Sequence, residues 1–272
     1  MSENQGPSPT SPLLSTRKRG VQALFWGMLV RPRATLTDLR DAGAGGASWI
    51  WPALLAVVVL IVSTIAIAPI TRAAAEEQLA QVQEQFGENI PPEGQAQIRQ
   101  VTSFASNPLF TIAIPAVSGV FGLVIGWLIR SGVLYLAGLA LGGHTQFSAM
   151  FRMGVWTALP DVARQVVTTV GTLSAGRILA SGLASLVTLP ETGLPSIGSL
   201  MWQAFLRGVD VYWLWGLALT VIGVAVTAQL SWRKSLIIAL GYWLLTVAFS
   251  LALVGIGAGF AAQVGGAVPV QR

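Results

Sequence analysis

Long stretches of this chain carry no charge at all: Trp49 to Ile70, Leu109 to Ile129, Val211 to Trp232, and the stretch that starts at Ser235. A helix needs about 20 predominantly apolar residues to cover roughly 30 Å of hydrocarbon. Runs of that length and number cannot be buried together inside one small soluble core, so the chain reads as an all-α, polytopic membrane protein. Composition agrees: 10% of the residues are charged, against about 25% in an average soluble domain, and the mean hydropathy is +0.67. The net charge of +5 does not point to nucleic acid, because the basic residues gather beside the apolar runs and not on one face with interleaved aromatics. The absence of cysteine excludes disulfides and thiolate metal ligands.

Residues 1–16, rich in Pro, Ser and Thr, hold too little apolar surface to order themselves and read as a tail. Over 17–47 the chain turns basic and amphipathic. Val21, Leu24, Phe25, Met28 and Leu29 fall on one helical stripe beside Arg17, Lys18 and Arg19 and ahead of Arg31 and Arg33. Such a helix suits an anionic membrane face; the alternative is a helix packed on the protein's own spans. A second amphipathic turn, Thr35 to Leu39, leads into a Gly-rich hinge. Arg31, Pro32 and Arg33 stand where a signal peptide would need small residues, which excludes a cleavable leader.

Five spans are expected within a transmembrane region of residues 48–260, over about 49–70, 109–142, 150–172, 211–231 and 235–258. Trp49 and Trp51 suit the headgroup level at the first span's start. Residues 72–106, acidic through Glu76, Glu77, Glu84, Glu88 and Glu93, read as a pair of surface helices broken at Pro91 and Pro92, and 261–272 as a second tail. The third span is the most polar, with Pro160, Asp161, Arg164 and Gln165, and cannot face lipid all round. Arg233 and Lys234 separate the fourth and fifth spans, which must form an antiparallel hairpin. With five crossings, the arginines before the first span, Arg152, Arg233 and Lys234 share one side, which the positive-inside rule makes cytoplasmic, along with the amino terminus.

The hairpin sequence Asp210-Val211-Tyr212-Trp213-Leu214-Trp215-Gly216, with Leu230-Ser231-Trp232-Arg233-Lys234-Ser235, resembles the bacterial branch of the Yip1 (YIPF) family. Leu141-Gly142-Gly143-His144-Thr145-Gln146-Phe147 with Ala158-Leu159-Pro160, and Leu29-Val30-Arg31-Pro32 with Thr35-Leu36, resemble the same family. The resemblance covers roughly residues 22–260. It implies five transmembrane helices, a cytoplasmic amino terminus and, for the bacterial branch, membrane residence; the expected location is a bacterial inner membrane. Eukaryotic members associate with small GTPases in vesicle traffic, but their Asp-Leu-Tyr-Gly-Pro signature is missing here, so that role does not carry over.

Candidate sites follow from charges placed among apolar residues, which are expensive in lipid and functional by default. Asp161 and Arg164 share a helix face at i and i+3 beside Pro160, forming either a transport site or a polar clasp within the bundle. Arg130, set in the second span, either snorkels to the interface or meets Asp161. Arg207 and Asp210 form a candidate pair at the outer interface. Ser118, Gly122 and Gly126, and later Gly255 and Gly259, follow the small-xxx-small spacing that lets helices approach closely, within one chain or between two. His144, the single histidine, has no companion at ligand spacing, so no metal or other cofactor is expected. No nucleophile stands beside a base in any catalytic motif, so an enzyme is not expected. The expected role is a non-enzymatic membrane scaffold or organising factor, its partners the bilayer, anionic lipids, and a membrane protein or second copy. The rival is a small permease or channel subunit.

Overall fold

The structure is a computed structural model that describes residues 20–41, 47–86, 107–179, 181–186 and 197–266. Among the described residues every regular element is helical: α1 (Val21–Val30), α2 (Pro32–Asp41), α3 (Ile50–Phe86), α4 (Ile114–Ala140), α5 (Phe147–Trp156), α6 (Leu159–Ala175), α7 (Ile197–Arg207), α8 (Val211–Thr227) and α9 (Trp232–Gly266). A π-helical turn, Leu109–Ala113, opens α4. It makes one unbroken helix of the expected second span.

Stretches over Ile50–Gln78, Leu109–Ala140 and Trp232–Gly257 are long and apolar enough to cross a bilayer. A fourth arises if α7 and α8, bent by 64° at their junction, count as one span. The expected third span is divided. Pro160 has no N–H to give to the carbonyl of Trp156, and its ring crowds that carbonyl. The chain therefore turns at Thr157 and Ala158, and α6 restarts with the proline in its first turn, where the missing donor costs nothing. The first span and the start of the expected surface segment are one helix. Pro69 sits inside α3, and the helix-forming run beyond it carries the 37 residues on without interruption. At 1.5 Å per residue that is about 55 Å, so α3 projects well past the hydrocarbon. Residues 87–106, with the expected second surface helix, lie outside the described residues.

The main apolar core joins α1, α2, α4, α5, α8 and α9 through Met28, Leu36, Leu134, Trp156, Val224 and Ile238. A smaller cluster, Ala53, Ala56, Trp127, Val155 and Ala158, seats α3 on α4 and α5. Helix α5 is at the centre. Every residue from Arg152 to Ala158 is buried, and close approach is possible because two contact points have no side chain. A Cβ on Gly223 would stand 2.5 Å from Met153 Sδ, and one on Gly154 would stand 2.5 Å from Ser131 Oγ. Of the glycines with packing spacing, Gly122, Gly126 and Gly255 have nothing among the described residues within 4 Å of an added Cβ. Among the described residues these positions are open. Gly259 lies further along α9.

Helix α1 turns Leu24 and Met28 into the core, with Phe25 against Trp156 at 5.0 Å between ring centres. Its outer face shows Trp26, Val30 and also Leu29, which the periodicity had placed on the inner stripe. Thr35, Leu36 and Leu39 of α2 are buried against α5 and α8. Three hydrogen bonds tie this end together: Arg40 Nη1 to the Val226 carbonyl (3.2 Å), Lys234 Nζ to the Leu141 carbonyl (2.7 Å), and the His144 N–H to the Ala228 carbonyl (3.0 Å). Cationic side chains thus cap carbonyls that helix ends leave without intrahelical donors. Because Arg31, Arg33, Arg40, Arg233 and Lys234 gather here, this is the basic end. At the far end Trp213 lies 5.0 Å from Trp243, Phe205 lies 6.3 Å from Trp243, and Trp202 stacks on Phe205 at 5.6 Å.

Candidate functional site

Asp161 sits in the first turn of α6, where the helix dipole favours an anion. Arg164 stands one turn later, 3.8 Å from Asp161 between Nη1 and Oδ1. Its shorter contact goes elsewhere. Arg164 Nη2 donates to Asp210 Oδ1 at 2.9 Å, and the same oxygen accepts the Trp213 N–H at 2.7 Å. Asp210 is therefore the N-cap of α8 and the counter-ion of α6 at once. Its side chain is 15% exposed and that of Arg164 is 26% exposed, so the pair is largely out of water.

The expected pair of Arg207 with Asp210 is not formed. The sharp bend between α7 and α8 leaves Arg207 bonded to Gln203 on its own helix, at 3.2 Å, while the Asp210 carboxylate faces α6. Arg130 likewise makes no pair with Asp161. Its Nη2 donates to Thr220 Oγ1 at 2.6 Å and to Thr157 Oγ1 at 3.2 Å, and its guanidinium lies 6.0 Å from the centre of the Tyr242 ring. The turn forced by Pro160 is what presents Thr157 to this arginine.

Arg130, Asp161 and Arg164 do share a cavity. It measures about 200 Å³ and lies between α6, α8 and α9, with Trp213, Tyr242 and Trp243 among its walls. A second cavity of about 250 Å³ lies on the other side of α6, against α3 and α4, and Asp161 borders both. Below it α6 is fastened to α3 by a hydrogen bond from Thr169 Oγ1 to Ser63 Oγ, 2.9 Å. Arg31 and Arg33 of the expected surface patch are exposed at the basic end; Arg17, Lys18 and Arg19 lie outside the described residues. Among the described residues no group of three His, Asp or Glu converges on a metal position.

Thr157, Thr220, Tyr242 and Trp243 were not singled out in the sequence, and Trp213 stood there only in the hairpin motif. Thr220 did carry a signal, as the one hydroxyl between Leu214 and Gly223 in an otherwise apolar helix.

Long apolar helices around a centre of buried polar groups define an integral membrane helix bundle. Within that class the Yip1 domain model matches residues 26–254, and the chain belongs to the Yip1 family. No curated protein and no solved structure matches it.

Proposed function

We propose that this Yip1-family protein is a non-enzymatic scaffold or organising factor of a bacterial inner membrane. In this reading it crosses five times, with α5 and α6 together as a broken third span and α8 as the fourth, and its amino terminus is cytoplasmic. The observation that carries the reading is the contact of Arg164 with Asp210, 46 residues away, at 2.9 Å. A charge inside a bundle that is held by another helix's cap acts as a staple. With α6 and α8 so fixed, α1 and α2 offer an apolar outer face, Trp26, Leu29 and Val30, beside exposed Arg31 and Arg33. That combination suits contact with anionic headgroups. The open face at Gly122 and Gly126 suits a second copy or another membrane helix.

The test is purification in native membrane discs followed by mass spectrometry of retained proteins and lipids. Neutralising Arg17, Lys18, Arg19, Arg31 and Arg33 together should strip anionic lipid or a protein partner from the complex. Unchanged company would contradict the reading. One observation favours a permease instead: Asp161 borders cavities on both sides of α6. A permease requires solute flux in liposomes that Asp161→Asn abolishes without loss of folding, and the scaffold reading expects no flux to lose.

A further inference from the structure

The charges that line the cavity between α6, α8 and α9 do not cancel in place. Arg164 is matched by Asp210, its closest carboxylate at 2.9 Å. That leaves one cation and one anion facing the same space. Arg130 has only neutral partners, two threonine hydroxyls and a tyrosine ring, and no carboxylate pairs with it among the described residues. The Nε atoms of Arg130 and Arg164 are both buried without a hydrogen-bond partner. Asp161, with 61% of its side chain exposed, has among the described residues only the long 3.8 Å contact to Arg164. A guanidinium without a counter-ion inside a bilayer is costly, and a bound anion removes that cost.

The shape of the cavity limits what the anion belongs to. Its walls are mainly apolar, and it runs from the rings of Trp213 and Trp243 inward to Arg130. Trp213 and Thr220, the residue that holds Arg130, are seven positions apart on α8, about 10 Å by helical rise. Thr246 borders the cavity on an exposed turn of α9, between the exposed Leu245 and Phe249. Thr246 is near the middle of the stretch Trp232–Gly257, so the mouth opens at a depth where acyl chains lie.

We propose that this cavity is a binding site for a phospholipid headgroup carrying both a phosphate and an ammonium group, of the ethanolamine class. The phosphate sits against the guanidinium groups of Arg130 and Arg164 that line the cavity, the ammonium against Asp161, and the acyl chains leave past Thr246. An ionised hydrogen bond inside a site of this kind is worth roughly tenfold or more in affinity. The proposal does not depend on the scaffold reading, since a permease or a structural bundle would hold the same lipid equally well.

The test is native mass spectrometry of the full chain in mild detergent, titrated with phosphatidylethanolamine, phosphatidylglycerol and diacylglycerol of equal chain length. Phosphatidylethanolamine should be retained most strongly and diacylglycerol least. Arg130→Gln should weaken phosphatidylethanolamine roughly tenfold or more, and Arg130→Lys, which keeps the charge, should weaken it less. Asp161→Asn should erase the preference for phosphatidylethanolamine over phosphatidylglycerol. Thr246→Trp, an exposed position that leaves every charge in place, should block all three lipids and guards against misfolding of the arginine variants. Equal retention of diacylglycerol, or unchanged retention by Arg130→Gln, would overturn the proposal. Displacement of the lipid by soluble phosphoethanolamine at equal concentration would overturn the lipid as the source.

Discussion

Where α2, α5 and the α8–α9 turn meet, Met28, Leu134, Met150 and Trp156 are fully buried, and Gly154 and Gly223 leave room for only a hydrogen against their neighbours. Further along the same bundle, α6, α8 and α9 surround a cavity, beside which Arg164 of α6 bonds Asp210 at the start of α8 and Arg130 of α4 bonds the hydroxyls of Thr157 and Thr220. In lipid the tails are as apolar as leucine, so helices associate through fit and through polar bonds. The two ends of this protein divide those means between them. Close packing should make the basic end the stiffer of the two, while polar links and ring contacts join the helices around the cavity and leave space beside them.

That contrast is most severely tested at Trp156. Truncation to Ala should remove the centre of the close-packed end and cost about 3 kcal/mol, the lower part of the range for large aromatic truncations, because no transfer from water is lost in a bilayer. Reversible unfolding in mixed micelles measures it, and a cost below that of any change at the aromatic end would reverse the assignment of rigidity. Next comes Asp210→Ala, which removes the cap of α8 and strands Arg164. About 2 kcal/mol is expected, less than for a fully buried pair because Arg164 keeps some exposure, and hydrogen exchange should rise first in the opening turn of α8. Thr220→Val keeps the shape and removes the closest acceptor of Arg130, for about 1 kcal/mol. The smallest effect belongs to Gly122→Ala and Gly126→Ala. Both face open space in the chain, so stability should move by less than about 0.5 kcal/mol or rise slightly with helix propensity, whereas self-association, read by analytical ultracentrifugation in detergent, should change if this face pairs with a second copy.

Much of this was legible before any coordinates, and what was not has a common cause. Uncharged runs located α3, α4 and α9, and Arg233 with Lys234 marked the turn between α8 and α9, because both signals are local and the bilayer imposes a single length scale. Pro160 was visible too, but apolar length outweighed it, and α5 and α6 were joined into one span that the proline divides. Partner choice was out of reach. Asp161 and Arg164 are neighbours by helical spacing, yet Arg164 prefers a carboxylate 46 residues away, and Arg207, three residues from Asp210, is turned aside by a bend that spacing does not reveal. Spacing could not say which glycines meet a neighbour within the chain: Gly122 and Gly126 have the packing rhythm, but Gly154 and Gly223 are the ones set against other side chains.

The account rests on intramembrane charges acting as links between helices of one chain, and a double-mutant cycle on Arg164 and Asp210 examines it without intermediaries. Unfolding free energies of Arg164→Ala, Asp210→Asn and the double variant, measured in the same bilayer discs, should show a coupling of about 1 to 3 kcal/mol, as for residues in direct contact. Additive costs, with no coupling, would mean that the two side chains do not hold α6 to α8.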